Sequence, residues 1–75
     1  MVGMTVAETE KYLRTEAKKL GCTFKKEKNG NYTLIRRRFE VGAFDVLMSD
    51  MKLGNALDNC ESGYWETLVK KYKEQ

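Results

Sequence analysis

Apolar and polar positions follow two different periods along this chain. Near each end, apolar or small side chains recur at intervals of three and four residues, which is the spacing of one face of a helix. The first set comprises Val6, Thr9, Leu13, Ala17 and Leu20, and the second comprises Trp65, Leu68, Val69 and Tyr72. The pattern therefore predicts a helix from Thr5 to about Leu20 and another from about Gly63 to Lys73.

Local signals mark both ends of the first helix. Thr5 and Glu8 have the spacing of a capping box, in which each side chain accepts a hydrogen bond from the backbone N–H of the other residue. Gly21 can adopt the positive φ that often terminates a helix. Glu10 and Arg14 are four residues apart, so we expect them to pair on the outer face of this helix.

Strand-like runs on both sides of Asn29-Gly30 predict a β-hairpin. Asn-Gly suits a two-residue type I′ turn, because both central residues of that turn need positive φ. Such a turn places Phe24 opposite Ile35 and Cys22 opposite Arg37. We therefore expect a core face formed by Cys22, Phe24, Ile35 and Phe39. The outer face would carry Tyr32, Leu34, Arg36 and Arg38, with Lys25 opposite Leu34.

The segment 39–48 fits either a third strand or a helix. We favour a short strand from Phe39 to about Ala43, followed by a helix whose N-cap is Ser49 or Asp50. One side of that helix would be lined by Leu53, Ala56, Leu57 and Cys60. Residues 59–63 would then form a turn before the last helix.

Together these elements predict a small α+β domain. It would contain an N-terminal helix, a two- or three-stranded antiparallel sheet, and one or two C-terminal helices. Seventy-five residues correspond to a single domain, residues 1–75, in which we expect residues 1–4 to be disordered or a cloning remnant. Trp65 is expected in the core near Leu13 or Leu57, and Met48 and Met51 are expected to fill gaps in the core.

Charge is distributed unevenly along the chain, whose net charge is +3. Residues 25–38 hold six basic and one acidic side chains, whereas residues 40–66 hold six acidic side chains and one basic one. This distribution predicts a protein with two oppositely charged sides, and such a surface can attract a charged partner or a second copy of the chain.

The composition limits the chemistry available to the chain. It contains no histidine, so the usual general base at neutral pH and the commonest metal ligand are missing. The two cysteines, Cys22 and Cys60, are too few for a disulfide framework. Free thiols in a reducing cytosol are the favoured interpretation, and one disulfide between them is the alternative. Acidic residues do not have calcium-loop spacing, and the glycines do not form a phosphate loop. We therefore expect a non-enzymatic protein without a metal or cofactor, located in the cytoplasm, with no membrane span.

The order of a helix, two or three strands and a helix resembles that of double-stranded RNA-binding domains. Those domains present a lysine-rich start to their final helix. This chain has Gly63-Tyr64-Trp65-Glu66 at that point, so the resemblance extends to the order of elements alone.

Two functional hypotheses follow from these observations. The first is a small protein-binding module that acts on a cytoplasmic protein or complex, for example as an inhibitor or adaptor encoded by a phage or mobile element. Its contact residues would be Asp45, Asp50, Asp58, Tyr32 and Leu34. The alternative is a nucleic-acid-binding regulator that uses the basic hairpin, with contacts from Lys25, Lys26, Lys28, Tyr32, Arg36, Arg37 and Arg38. A homodimer is compatible with both hypotheses.

Overall fold

The computed structural model describes residues 4–38 and 43–73, which form three helices and a three-stranded sheet. In chain order the elements are α1 (Val6–Lys19), β1 (Cys22–Lys26), β2 (Tyr32–Arg38), β3 (Ala43–Met51), α2 (Leu53–Glu61) and α3 (Tyr64–Lys73). The strands are antiparallel in the order β1-β2-β3. The predicted α+β class is confirmed, with three strands and two C-terminal helices.

Helix α1 forms as its local signals predict. The Thr5 hydroxyl accepts a hydrogen bond from the Glu8 N–H at 3.1 Å, and the Glu8 carboxylate accepts one from the Thr5 N–H at 3.0 Å. Gly21 follows the helix with φ +75°. The buried face is Thr9, Leu13 and Ala17. Val6 is 61% exposed rather than buried, because it lies in the first turn, ahead of the buried stretch.

The hairpin loop is one residue longer than the sequence suggests. The Glu27 N–H donates to the Asn31 carbonyl at 2.8 Å, so these two residues face each other. The Gly30 N–H donates to the Glu27 carbonyl at 3.0 Å, and Gly30 has φ +87°. Lys28, Asn29 and Gly30 therefore form a three-residue loop, in which a type I turn is followed by a left-handed glycine. The predicted two-residue turn is wrong, because glycine alone supplies the positive φ in this loop.

This loop shifts the pairing of β1 and β2 by one residue from the predicted register. Phe24 lies opposite Leu34, and Lys26 lies opposite Tyr32. A shift of one residue exchanges the two faces of a strand. Tyr32 and Leu34 consequently point towards the core with 3% and 0% exposure, and Ile35 points the other way. The prediction that placed Ile35 in the core and Tyr32 and Leu34 outside is therefore wrong.

Strand β3 is longer than expected and continues through the residues predicted to begin a helix. Its pairing with β2 is irregular at two points: Leu47 is an additional residue on β3, and Ser49 and Asp50 together lie opposite the single residue Thr33. Helix α2 begins at Leu53, and its N-cap Lys52 makes no side-chain capping bond. The predicted cap at Ser49 or Asp50 is therefore wrong. The predicted strand positions at 39–42, including Phe39 on the core face, lie outside the described residues.

The helices cover one face of the sheet, and the core lies between them. Trp65 is 1% exposed, and its ring lies 5.5 Å from that of Phe24, which stacks on Tyr32 at 4.9 Å. Met51 is buried and Met48 packs against the core, as predicted. One side of α2 also packs there through Leu53, Ala56, Leu57 and Cys60. Because α2 continues to Glu61, the predicted turn at 59–63 is reduced to Ser62 and Gly63.

Candidate binding surface

The sheet has a second face, which points away from the helices. Strand alternation and the observed register place six accessible side chains on it, and we call this set the open face: Thr23, Lys25, Ile35, Arg37, Phe44 and Val46. Thr33 belongs to the same side of β2 but is buried. Phe44 is 60% exposed and Val46 is 48% exposed, which makes them the accessible apolar residues of β3.

The register orders these side chains into rows across the three strands. Ile35 lies between Thr23 on β1 and Val46 on β3, and Arg37 lies directly opposite Phe44. Side chains paired in this way are about 5 Å apart at Cβ, and successive rows are about 7 Å apart. Ile35, Val46 and Phe44 are therefore adjacent and form one apolar strip along β2 and β3.

Two cations flank the apolar strip. Lys25 lies on β1 at the loop end of the sheet, and Arg37 lies on β2 at the other end. The strand residues of the open face include no carboxylate, and the nearest one along the hairpin, Glu27, lies beyond Lys25 next to the loop. The described residues of the open face therefore carry a net positive charge beside an accessible apolar strip.

The acidic residues predicted to bind a partner do not form one surface. Asp45 lies on the helix side of the sheet, where its Oδ2 is 3.8 Å from Nη1 of Arg36, and both side chains are largely buried. Asp50 Oδ1 accepts hydrogen bonds from the side-chain amides of Asn29, at 3.2 Å, and Asn31, at 2.6 Å. Asp58 is exposed on α2. Asp45 and Asp50 thus hold parts of the sheet and its loop in place.

The six predicted basic contacts are also divided among separate regions. Lys25 and Arg37 belong to the open face, whereas Lys26 and Arg36 point to the helix side and Lys28 lies in the loop. Arg38 ends β2, and its side chain is outside the described part of the chain. Because successive residues of a strand point to opposite faces, Arg36 and Arg37 cannot act as one continuous footprint.

Tyr32, which the sequence suggested as a contact residue on the surface, is an anchor of the core. Its hydroxyl donates a hydrogen bond to the Glu10 carboxylate, and Lys26 Nζ lies 3.9 Å from the same carboxylate. Burial, reinforced by the hydrogen bond and the charge of Glu10, raises the pKa of Tyr32 to about 12. Glu10 thus pairs with groups of the sheet, not with Arg14 as predicted. This cluster ties α1 to the hairpin.

The described residues contain no group of three or more histidine, cysteine, aspartate or glutamate side chains placed to hold a metal ion. Both cysteines are free, and burial raises the pKa of the Cys22 and Cys60 thiols, which disfavours the reactive thiolate. A shallow cleft beside α3 is lined by Leu20, Gly63, Glu66, Thr67, Val69 and Lys70. None of the helices in the described ranges is long and apolar enough to cross a membrane.

Of the open-face residues that sequence reasoning missed, Phe44 and Val46 are the exposed apolar pair. Their signal is the alternation of Phe44, Asp45 and Val46, which is typical of a strand with one apolar and one polar side. The helical spacing of Phe44, Leu47, Met48 and Met51 competes with that signal, because it is equally typical of one face of a helix. Assigning the apolar side of β3 to the open face also requires the register with β2, which the sequence does not display.

Comparisons with models of protein families, with curated proteins and with solved structures find no match for this chain. Functional inference therefore rests on the geometry and chemistry of the open face.

Proposed function

We propose that this chain is a small non-enzymatic binding protein that captures a protein partner on the open face of its sheet. The observation that supports this proposal is the accessible apolar strip at Phe44 and Val46, 60% and 48% exposed. An apolar patch with a polar rim is typical of a protein interaction site. Such a module acts by occupying a surface of its partner, as an inhibitor or adaptor does.

The fold does not need the apolar strip for its own core. Ten buried residues between the sheet and the helices form one cluster, and it includes Trp65, Leu13 and Leu34 as fully buried side chains. Phe44 and Val46 belong to the other side of β3. Apolar groups that are not required for folding cost solubility, and a partner that covers them removes this cost.

A matched pair of double variants tests the proposal by affinity capture from lysate of the source cells. Phe44→Ser with Val46→Ser removes the apolar strip, and Val6→Ser with Tyr64→Ser removes apolar groups of comparable exposure, 61% and 45%, from the helices. We expect the first variant to lose the captured protein and the second to retain it. Thermal melting verifies that both are folded.

Equal capture by both variants would refute binding at the open face. Nuclease treatment of the lysate separates direct protein capture from capture through nucleic acid. A captured protein that disappears after nuclease treatment would contradict a protein partner.

A second candidate function is single-stranded nucleic-acid binding at the same face. The observation that favours it is the cross-strand pair Arg37–Phe44, because an exposed aromatic ring can stack on a base while a neighbouring arginine contacts phosphate. A fluorescein-labelled 20-nucleotide oligothymidine or oligouridine tests this function by anisotropy. Binding that weakens with salt and is lost in Arg37→Gln would support it. Binding unaffected by Arg37→Gln would contradict it.

A further inference from the structure

We propose that the occupant of the open face is a single acidic amphipathic helix of the partner protein. This inference rests on the proposed function, since it specifies the chemistry of the partner at the same surface. Three properties of the open face lead to it: the dimensions of the sheet, the position of the cations relative to the apolar strip, and the engagement of the chain's own carboxylates elsewhere.

The sheet has the width of one helix. Three strands spaced about 5 Å apart span about 10 Å between the outer strand axes, and a helix with its side chains is about 10–12 Å in diameter. The rows of Lys25 and Arg37 are four residues apart along β2, which corresponds to about 13 Å. A helix of about nine residues covers that length at a rise of about 1.5 Å per residue. The covered face of the sheet is likewise packed against helices.

Both cations lie on the β1 side of Phe44 and Val46. Lys25 is on β1 and Arg37 is on β2, whereas Val46 and Phe44 are on β3. A helix that seats its apolar side chains on Val46 and Phe44, along β3, therefore presents its β1-facing flank to both cations. Carboxylates on that flank would complement them, and lysines there would be repelled. The matching segment is a helix with an apolar stripe and glutamate or aspartate along one edge of it.

The chain cannot neutralise these cations with its own described acidic side chains on the sheet. Asp45 pairs with Arg36 on the helix side, and Asp50 holds Asn29 and Asn31 of the loop. Glu27, at the loop end, can offset only one of the two cations, so the described residues of the open face keep a net positive charge. A symmetric dimer through this face would bring the Lys25 and Arg37 side chains of both copies into one interface, so like charges disfavour a second copy as the occupant.

Two labelled peptides test the inference directly. Each has 15 residues with leucine at positions i, i+3, i+4 and i+7, and the remaining positions are alanine with either glutamate or lysine on one flank of the leucine stripe. We expect the glutamate peptide to bind at least tenfold more tightly than the lysine peptide at low salt, by fluorescence anisotropy. Phe44→Ser with Val46→Ser should abolish binding of the glutamate peptide.

Charge reversal identifies the residues responsible. Lys25→Glu with Arg37→Glu should weaken the glutamate peptide at least tenfold and favour the lysine peptide. The matched control is Lys11→Glu with Lys71→Glu, which changes net charge equally at exposed helix positions and should leave both affinities unchanged. Equal weakening by both variants would indicate a net-charge effect and overturn the inference.

Failure of this inference and failure of the proposed function give different results. If neither peptide binds, or both bind equally, while capture from lysate still depends on Phe44 and Val46, the acidic helix is wrong and the binding face remains. If capture is independent of those residues, the proposed function fails as well. A dimer of the wild-type chain in sedimentation that Phe44→Ser dissociates would overturn the acidic helix, because the occupant would then be a second copy.

Discussion

Replacing Leu34 and Ile35 separately by alanine tests the register on which the open face depends. The two residues are neighbours on β2, and they point to opposite faces of the sheet. Leu34 is 0% exposed in the core, whereas Ile35 is partly accessible on the open face. Truncation of a buried leucine costs about 3–5 kcal/mol, through lost burial and the cavity that remains. Truncation of Ile35 should cost about 1 kcal/mol, because its side chain is only partly buried and loses less apolar burial.

Urea denaturation followed by far-UV circular dichroism measures both effects. A 75-residue domain has a total stability of about 4–11 kcal/mol, so Leu34→Ala is expected to lower the unfolding midpoint severely or to unfold the chain. Leu34→Met, which conserves volume, should cost less than about 1.5 kcal/mol and keeps the comparison measurable if Leu34→Ala does not fold. A larger loss of stability in Ile35→Ala than in Leu34→Ala would refute the observed register.

Three further perturbations examine the contacts that hold the sheet. The pKa of Tyr32 is about 12 in the folded chain and about 10 in the unfolded chain, so between these pH values only the unfolded chain loses the hydroxyl proton. The free energy of unfolding should therefore fall by up to about 2.7 kcal/mol as pH rises from 10 to 12. Urea midpoints across this pH range should show a smaller fall in Tyr32→Phe. Asp50 has φ 56°, so Asp50→Gly relieves backbone strain while Asp50→Ala does not, and both lose the bonds to the loop. Denaturation should show Asp50→Gly to be the more stable by about 1 kcal/mol, and the reverse order would contradict this strain. Deletion of Lys28 should leave a two-residue Asn-Gly loop between Glu27 and Asn31 and preserve the fold. Deletion of Lys25 transfers the β1 residues on one side of the deletion to the opposite face of the strand and should unfold the chain. Thermal melting of the two deletion variants measures this difference.

Elements with local signals were predictable from the sequence. Helix α1 carries its cap, its apolar period and its terminating glycine within its own residues, and each of these appears in the structure apart from the exposure of Val6. The stripe of α3 and the core position of Trp65 are similarly local, because amphipathic spacing alone specifies which side is buried.

The register and the third strand depend on information that is not local. Asn29-Gly30 is compatible with a two-residue loop and with the three-residue loop that forms, and these alternatives differ in the side of β2 that enters the core. Tyr32 stacks on Phe24 and bonds Glu10 of α1, so contacts with distant residues favour the observed choice. In β3 the irregular pairing at Leu47 and Asp50 interrupts strand alternation, and the run of apolar residues consequently also has helical spacing.

The choice of loop determines the function that the sheet can perform. With the two-residue turn, Tyr32, Leu34, Arg36 and Arg38 would form the outer face of β2, an aromatic and strongly basic surface suited to nucleic acid. With the observed loop, Arg36 turns inward to Asp45 and a smaller set remains outside, in which aliphatic side chains adjoin Phe44. The comparison of Leu34→Ala with Ile35→Ala therefore also bears on function. If Ile35 were the buried residue, Tyr32 and Leu34 would return to the surface, and the protein-binding proposal at Phe44 and Val46 would lose its structural basis.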